Sequence, residues 1–335
     1  KFCNPGYEAL PSGSHTRTTY NILLSHTFNG VLGPVFVLVQ SPHTLWTSTA
    51  WNNLQKMHAR LDSVANVHQV EPTVPALPAA AFQAAPPALY RHTLSRNRHD
   101  FLFLVYPDTH PESQATQHLI EHLRSLSYPS MQSQHSRVLV GGNEAYTVDV
   151  IHLIIHWLPY IAGMVALTTM LVLYRLFRSW ILPFKAVVMN FLSAAAAFGL
   201  LVLIFQQGVT APWTGIHGSG AIDWTTPIIL FTVLFSLSTD YEVFLLSRVM
   251  DHHQSGASDA QSVENGMAET GRIITGAALI MVLVFFAFGS IGLEFMKELG
   301  YGLGLAILLD ATVVRMILVP AIMRLLGRWN WWPAR

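Results

Sequence analysis

The chain has 335 residues, of which 51% are hydrophobic and only 11% charged, against about 25% charged in an average soluble protein. Nineteen basic residues balance nineteen acidic ones, which removes any global basic surface and with it the case for nucleic acid. Cys3 is the only cysteine, so an internal disulfide is excluded.

Charge is unevenly placed. Nine of the nineteen Lys and Arg precede residue 140, with most of the histidines, whereas later charges interrupt long apolar runs. A watery region and a lipidic one are implied, and we divide the chain into residues 1–152, an extracytoplasmic domain, and residues 153–335, a membrane bundle. The chain opens on Lys1, with no basic segment, apolar run and cleavage site. A domain outside a membrane needs delivery, so a preceding span is expected.

In the first region an amphipathic stretch, Thr18 to Phe28, precedes an extended apolar run, Val35 to Gln40. A helical pattern from Thr44 to Leu61 and a short β-like run, Val64 to Glu71, follow. Beyond a Pro/Ala-rich link, Pro72 to Pro87, the pattern recurs: a strand from Phe101 to Tyr106, a helix from Pro111 to Leu126 and a strand from Arg137 to Val140. Two βαβ units in sequence predict a ferredoxin-like split βαβ sandwich, an α+β fold. Gly141-Gly142-Asn143-Glu144 reads as a turn entering a helix.

Five apolar stretches follow: Leu153 to Phe177, Ile181 to Gln206, Thr226 to Ser247, Ile273 to Ile291 and Leu299 to Leu326. Each reaches the roughly 20 residues that cross the hydrocarbon layer as a helix. Arg175, Arg178 and Lys185 flank the first connection, Arg248 and Arg272 the third, and Arg324, Arg328 and Arg335 follow the last stretch; the remaining connections hold only Lys297. The positive-inside rule makes the Arg-rich side cytoplasmic. Five crossings then place residues 1–152 outside and the C-terminus inside. Trp213, Trp224, Trp329, Trp331 and Trp332 suit an interfacial aromatic belt.

The sharpest polar feature is Asp240-Tyr241-Glu242 inside the third stretch. An ionised carboxylate at membrane depth is costly unless it is paired or faces water, and a carboxyl set between burial and a cation can change protonation during a cycle. Asp240 is therefore a proton-carrying candidate, and the bland alternative is an acid that only holds neighbouring helices together. Glu242, nearer the Arg-rich end, reads equally well as a solvated interfacial acid. In the last stretch Asp310 and Arg315 lie about 7.5 Å apart along an α-helix and about 140° around it. That spacing leaves Arg315 free to reach an acid on another helix, and Asp240, Asp310 and Arg315 are expected to form one buried cluster; a static salt bridge is the alternative.

Small residues recur at Ser193 to Ala197, Gly276 to Ala278, and Gly300, Gly302 and Gly304. They permit close helix approach in lipid and support a bundle, without specifying a function. His118-Leu-Ile-Glu-His122 matches an H-x-x-E-H zinc-peptidase pattern, but no third ligand can be identified and a polar helix surface is the simpler account. No Ser-centred elbow, phosphate-binding Gly loop with Lys, or CxxC is present. No metal, cofactor or enzymatic activity is expected.

The runs Asp240 to Arg248, Glu269 to Ala278, Leu308 to Arg315 and Gly327 to Pro333, with a looser stretch from Phe177 to Ala186, resemble the MMPL branch of the RND transporters. The resemblance implies the second of two repeats, each built from one span, a porter domain and five further spans, here without its leading span. It implies that Asp240 and Tyr241 form one half of a proton relay and that Asp310 and Arg315 tune it. The expected function is the C-terminal half of a proton-driven exporter of lipids or other hydrophobic molecules in the cell membrane. Its expected partners are the N-terminal repeat, a lipid substrate, protons and further copies in an oligomer. The alternative is a non-transporting receptor or translocation partner of the same fold.

Overall fold

The computed structural model describes residues 2–3, 6, 10–11, 13–132, 135–209 and 220–333. Trp213 and Arg335 lie outside the described residues. The chain divides into two compact units, Ser12–Leu153 and Lys1–Pro11 with Ile154–Arg335.

The first unit is built on a four-stranded antiparallel sheet of β1 (Val35–Gln40), β2 (Val67–Glu71), β3 (Asp100–Pro107) and β4 (Arg137–Gly141), in the order β2-β3-β1-β4. This is the order of a ferredoxin-like split βαβ fold, as the two sequence repeats predict. Strands alternate faces with period two, so Val35, Val37 and Val39 of β1 and Phe101, Phe103 and Val105 of β3 share one buried face. Helix α1 (His15–His26) buries no residue. Helices α2 (Ser48–Asp62) and α3 (Gln114–Ser125) place Trp51, Leu54, Leu61, Ile120 and Leu123 in the core with that face. Each begins on a capped turn: Thr47 accepts from Ala50 N at 3.3 Å and Ser113 from Thr116 N at 3.3 Å, satisfying a donor that the helix leaves free. The other face stays open, with Phe36 and Leu139 exposed.

Five helices are long and apolar enough to cross a membrane: Asn143–Phe177, Ile181–Gln206, Thr226–Gln254, Asp259–Gly289 and Glu294–Trp331, spans one to five; span one begins in the first unit, and the other four lie in the second. Span one starts ten residues before the apolar stretch that marks it in the sequence. Spans three and four extend well past theirs through polar turns that are still helical, and Ser258 and Gln261 form a capping box at the start of span four. Spans two, three and five are the most buried and span one the least. Phe2–Cys3 pairs in parallel with Ile222–Asp223.

The small residues do not act alike. A Cβ on Gly300 would lie 2.3 Å from the Gly289 backbone nitrogen, so spans four and five cross backbone to backbone there, whereas Gly276 and Gly199 face open space. Gly266 also packs against the Val249 backbone of span three, so close approach is used at particular crossings and not at every small residue. The closing segment is pinned: buried Asn330 donates to Met323 O and Gly327 O, both at 2.7 Å, and Ser179 Oγ donates to Asn330 O at 2.6 Å. Trp331 stacks on His253 with ring centroids 4.1 Å apart, while Trp329 and Trp332 remain exposed.

Candidate functional site

In an α-helix residues four apart share a face and residues two apart do not. On span three this rule buries Ser238, Glu242, Leu245 and Val249 and turns Asp240 to the opposite, exposed side. Asp240 therefore does not join the buried cluster expected with Asp310 and Arg315, and among the described residues it makes no hydrogen bond or ion pair. Tyr241, half-buried beside it, donates to Met281 Sδ of span four at 3.4 Å.

Asp310 and Arg315 do not point away from each other as α-helical spacing predicts. Residues Asp310–Leu318 form a π-helix, whose i→i+5 bonding brings residues five apart into register. Arg315 Nε donates to Asp310 Oδ2 at 2.8 Å within the same span. Both are almost wholly buried, at 4% and 5% exposure, and such a pair is costly unless most of its remaining polar atoms are bonded. Asp310 Oδ1 accepts from Ser193 Oγ of span two at 2.7 Å and from Ser238 Oγ at 3.2 Å. Arg315 Nη2 donates to Ser238 O at 2.5 Å and to Ser238 Oγ at 2.9 Å. Ser238 also donates to Asn190 Oδ1 at 2.6 Å, and Asn190 Nδ2 donates to Thr239 Oγ1 at 3.2 Å. One network thus ties spans two, three and five. Its link to the Asp-Tyr pair is the Arg315 guanidinium, which lies 5.1 Å from the Tyr241 ring centroid, within reach of a cation–π contact.

Two further ions belong to this core. Glu242 is buried, not solvated, and Lys185, one turn inside the start of span two, is buried as well. A cavity of about 10 Å³, near the room one water needs, is lined by Asn190, Ser238, Glu242, Asp310 and Arg315 among others.

Sequence reading missed Glu298 altogether. It is fully buried, accepts from Asp223 N at 3.0 Å and from Thr226 Oγ1 at 2.8 Å, and so joins the start of span five to the start of span three. An acid near the start of a helix reads from sequence as a solvated partner of the helix dipole, which hides the contact. The zinc-like triplet is spread over a surface: Glu121 meets His118 at 3.5 Å and His152 at 3.2 Å, all exposed. Among the described residues no group of three or more His, Cys, Asp or Glu is arranged to hold a metal.

A split βαβ unit joined to five apolar helices, with an ion network inside the helices, defines a multi-pass membrane protein. The MMPL family profile matches residues 26–335, and the chain belongs to that family. It is 41% identical over 223 residues to the trehalose monomycolate exporter MmpL3 of Mycolicibacterium smegmatis, covering 64% of this chain and 21% of that protein. It is 32% identical over 311 residues to the mycolic acid-containing lipids exporter MmpL11 of the same organism, covering 91% of this chain and 30% of the relative. The heme uptake protein MmpL11 of Mycobacterium tuberculosis is 40% identical over 200 residues, covering 60% of this chain and 21% of that protein. The chain thus spans less than a third of the length of these relatives.

Proposed function

We propose that the chain is the C-terminal half of an exporter that moves lipids or other hydrophobic molecules outward across the cell membrane, driven by proton influx. Asp240 carries the proton, Tyr241 bonds an acid of the N-terminal repeat, and the Asp310–Arg315 pair adjusts the field at both. The α+β unit is the porter domain on the outer side, and the Arg-rich connections face the cytoplasm. Two relatives named for lipid export support the substrate class.

The observation that carries the reading is the position of Asp240. It is an exposed, unpartnered acid on an apolar span, one residue from a tyrosine held over a buried arginine. An acid at that depth needs a partner or a water path, and a second repeat seated on the exposed face supplies one. Protonation then removes a charge from the interface and biases a movement between the two halves.

The direct test places Asp240→Asn in the complete transporter, reconstituted in vesicles under a proton gradient. Loss of gradient-driven lipid movement, with the protein still assembled, is the expected result. Undiminished export would refute the assignment of Asp240.

A further inference from the structure

At Gly327 the chain turns away from the axis of span five and runs along the Arg-rich end of the helical unit. Gly327 sits at φ +48°, a left-handed conformation that other residues rarely adopt. The turn carries the Trp-rich segment back to the start of span two and holds it there. Ser179 Oγ and Trp180 N both donate to Trp332 O at 3.1 Å. On the other side Trp331 Nε1 donates to Asp259 Oδ1 at 3.0 Å, an oxygen that also lies 3.3 Å from His253 Nδ1. Beside these anchors opens a cleft of about 620 Å³, lined by His253, Asp259, Arg328, Trp329, Trp331 and Trp332 among others. That is the size of a small-molecule site, with walls already fixed by hydrogen bonds and stacking.

Charge at this end is unevenly matched. Asp251 pairs with Arg248 at 3.6 Å, Glu264 with Arg324 at 3.5 Å and Glu269 with His252 at 3.1 Å, and Trp331 engages Asp259. Arg328 is exposed and makes no hydrogen bond or ion pair among the described residues. The same holds for Arg175 and Arg178, next to the connection that anchors the segment. Arg178 stands at φ +50° directly after span one, where glycine usually ends a helix; here the position carries a cation instead. Apolar surface borders these charges: Trp329 and Trp332 are 58% and 55% exposed, and Leu325, on the preceding turn of span five, is 86% exposed. Indole rings at the end of a span lie at the level of the lipid head groups. Free cations beside exposed indoles fit a ligand with an anionic head and an apolar body.

We propose that the cleft holds the head group of an anionic phospholipid from the surrounding bilayer. Arg328 pairs with the phosphate, whose oxygens match the planar guanidinium. Trp329 and Trp332 lie against the glycerol and the upper acyl chains, and Arg175 and Arg178 add to the positive field. Basic residues at the end of a span draw acidic lipids, and the pinned segment gives that attraction a defined seat. The lipid covers the exposed indoles and ties the closing segment to the bilayer. It is a resident component and not cargo, so the site stands whether or not Asp240 carries protons.

The test reconstitutes the complete transporter in phosphatidylcholine bilayers with a minor fraction of phosphatidylglycerol brominated in its acyl chains, which quench the tryptophans they touch. Brominated phosphatidylcholine is the neutral control. Stronger quenching by phosphatidylglycerol is expected, with the excess lost in the double variant Trp329→Phe/Trp332→Phe. Arg328→Gln, which removes no contact of the fold, should weaken the apparent affinity for phosphatidylglycerol about fivefold, the scale of one arginine at an anionic surface. Arg328→Lys, which keeps the charge, should retain most of it. Equal quenching by the two lipids would overturn the site, including none by either, the result of a polypeptide covering the cleft. A preference that survives Arg328→Gln or the double tryptophan variant would place the lipid elsewhere and overturn it too. Complete relief of the excess quenching by free glycerol phosphate would show a site for a soluble phosphate and overturn the assignment to a membrane lipid.

Discussion

The α+β unit and the helical unit handle charge in opposite ways. In the first, ion pairs such as His68–Asp108, His118–Glu121 and Arg124–Asp149 lie at the surface, and Glu144 is the one buried ionic group among the described residues. In the second, Lys185, Glu242, Glu298, Asp310 and Arg315 are buried, and apolar side chains such as Leu167, Ile280 and Ile317 are exposed. Water solvates the charges of one unit, while lipid drives those of the other inward. Chemistry therefore concentrates in the core of the helical unit, where a field is strong because nothing screens it.

The most damaging substitutions should be those that leave an ion stranded in the helical core. Arg315→Met removes the partner of Asp310 and is expected to cost about 3–5 kcal/mol, the range for breaking a buried pair. The double variant Asp310→Leu/Arg315→Met should recover much of that loss, because it strands no charge. Thermal unfolding in detergent measures both. A double variant no more stable than Arg315→Met would mean that the pair holds the helices together by geometry that apolar packing cannot replace.

The α+β unit should answer to volume instead. Phe103 is fully buried between strand and helices, and Phe103→Ala should cost about 3–5 kcal/mol through lost transfer energy and the cavity left behind. Denaturant unfolding of the purified chain, followed by tryptophan fluorescence from Trp46 and Trp51, reports it. If the units unfold separately, the loss will leave the transition of the helical unit unmoved. A matching shift in both transitions would break the comparison.

A smaller effect separates the glycines of the bundle. Gly300→Ala places a methyl group against backbone atoms of Gly289, and such overpacking costs about 1–3 kcal/mol. Gly276→Ala meets open space and should leave thermal stability unchanged or slightly raised, since alanine is the better helix former. Equal losses at the two positions would show that the close crossing at Gly289 and Gly300 carries no special burden.

The fold was largely legible because its signals are periodic. Alternation in Val35–Gln40 and Asp100–Pro107 marks strands with one buried face, and the apolar stretches mark spans by length alone. The site was legible in its residue types and less so in its geometry. Asp310 and Arg315 were visible as a charged interruption, but the π-helical turn that joins them depends on bonding between spans. The inward face of span three could have been read from Ser238, Glu242, Leu245 and Val249 at helical spacing, which assigns Asp240 to the other side. Burial of Lys185 and Glu298 had no comparable signal. A lone charge near a helix end looks the same in sequence whether it meets water or a neighbouring helix.

The weakest expected effect completes the contrast. Glu121 bridges His118 and His152 on the surface of the α+β unit, with exposures of 45% to 79% across the three side chains. Exposed pairs of this kind contribute about 0–1 kcal/mol and fade with salt. Glu121→Gln should therefore change stability little in dilute buffer and not at all at high salt, where the Debye length falls to about 3 Å at 1 M. Denaturant unfolding at low and high salt reads the difference directly. A large, salt-insensitive loss would mean that Glu121 acts as a buried ion does, and that the two units do not differ in kind. A zinc-dependent gain in stability, lost in Glu121→Gln, would instead revive the metal reading of His118 and His122.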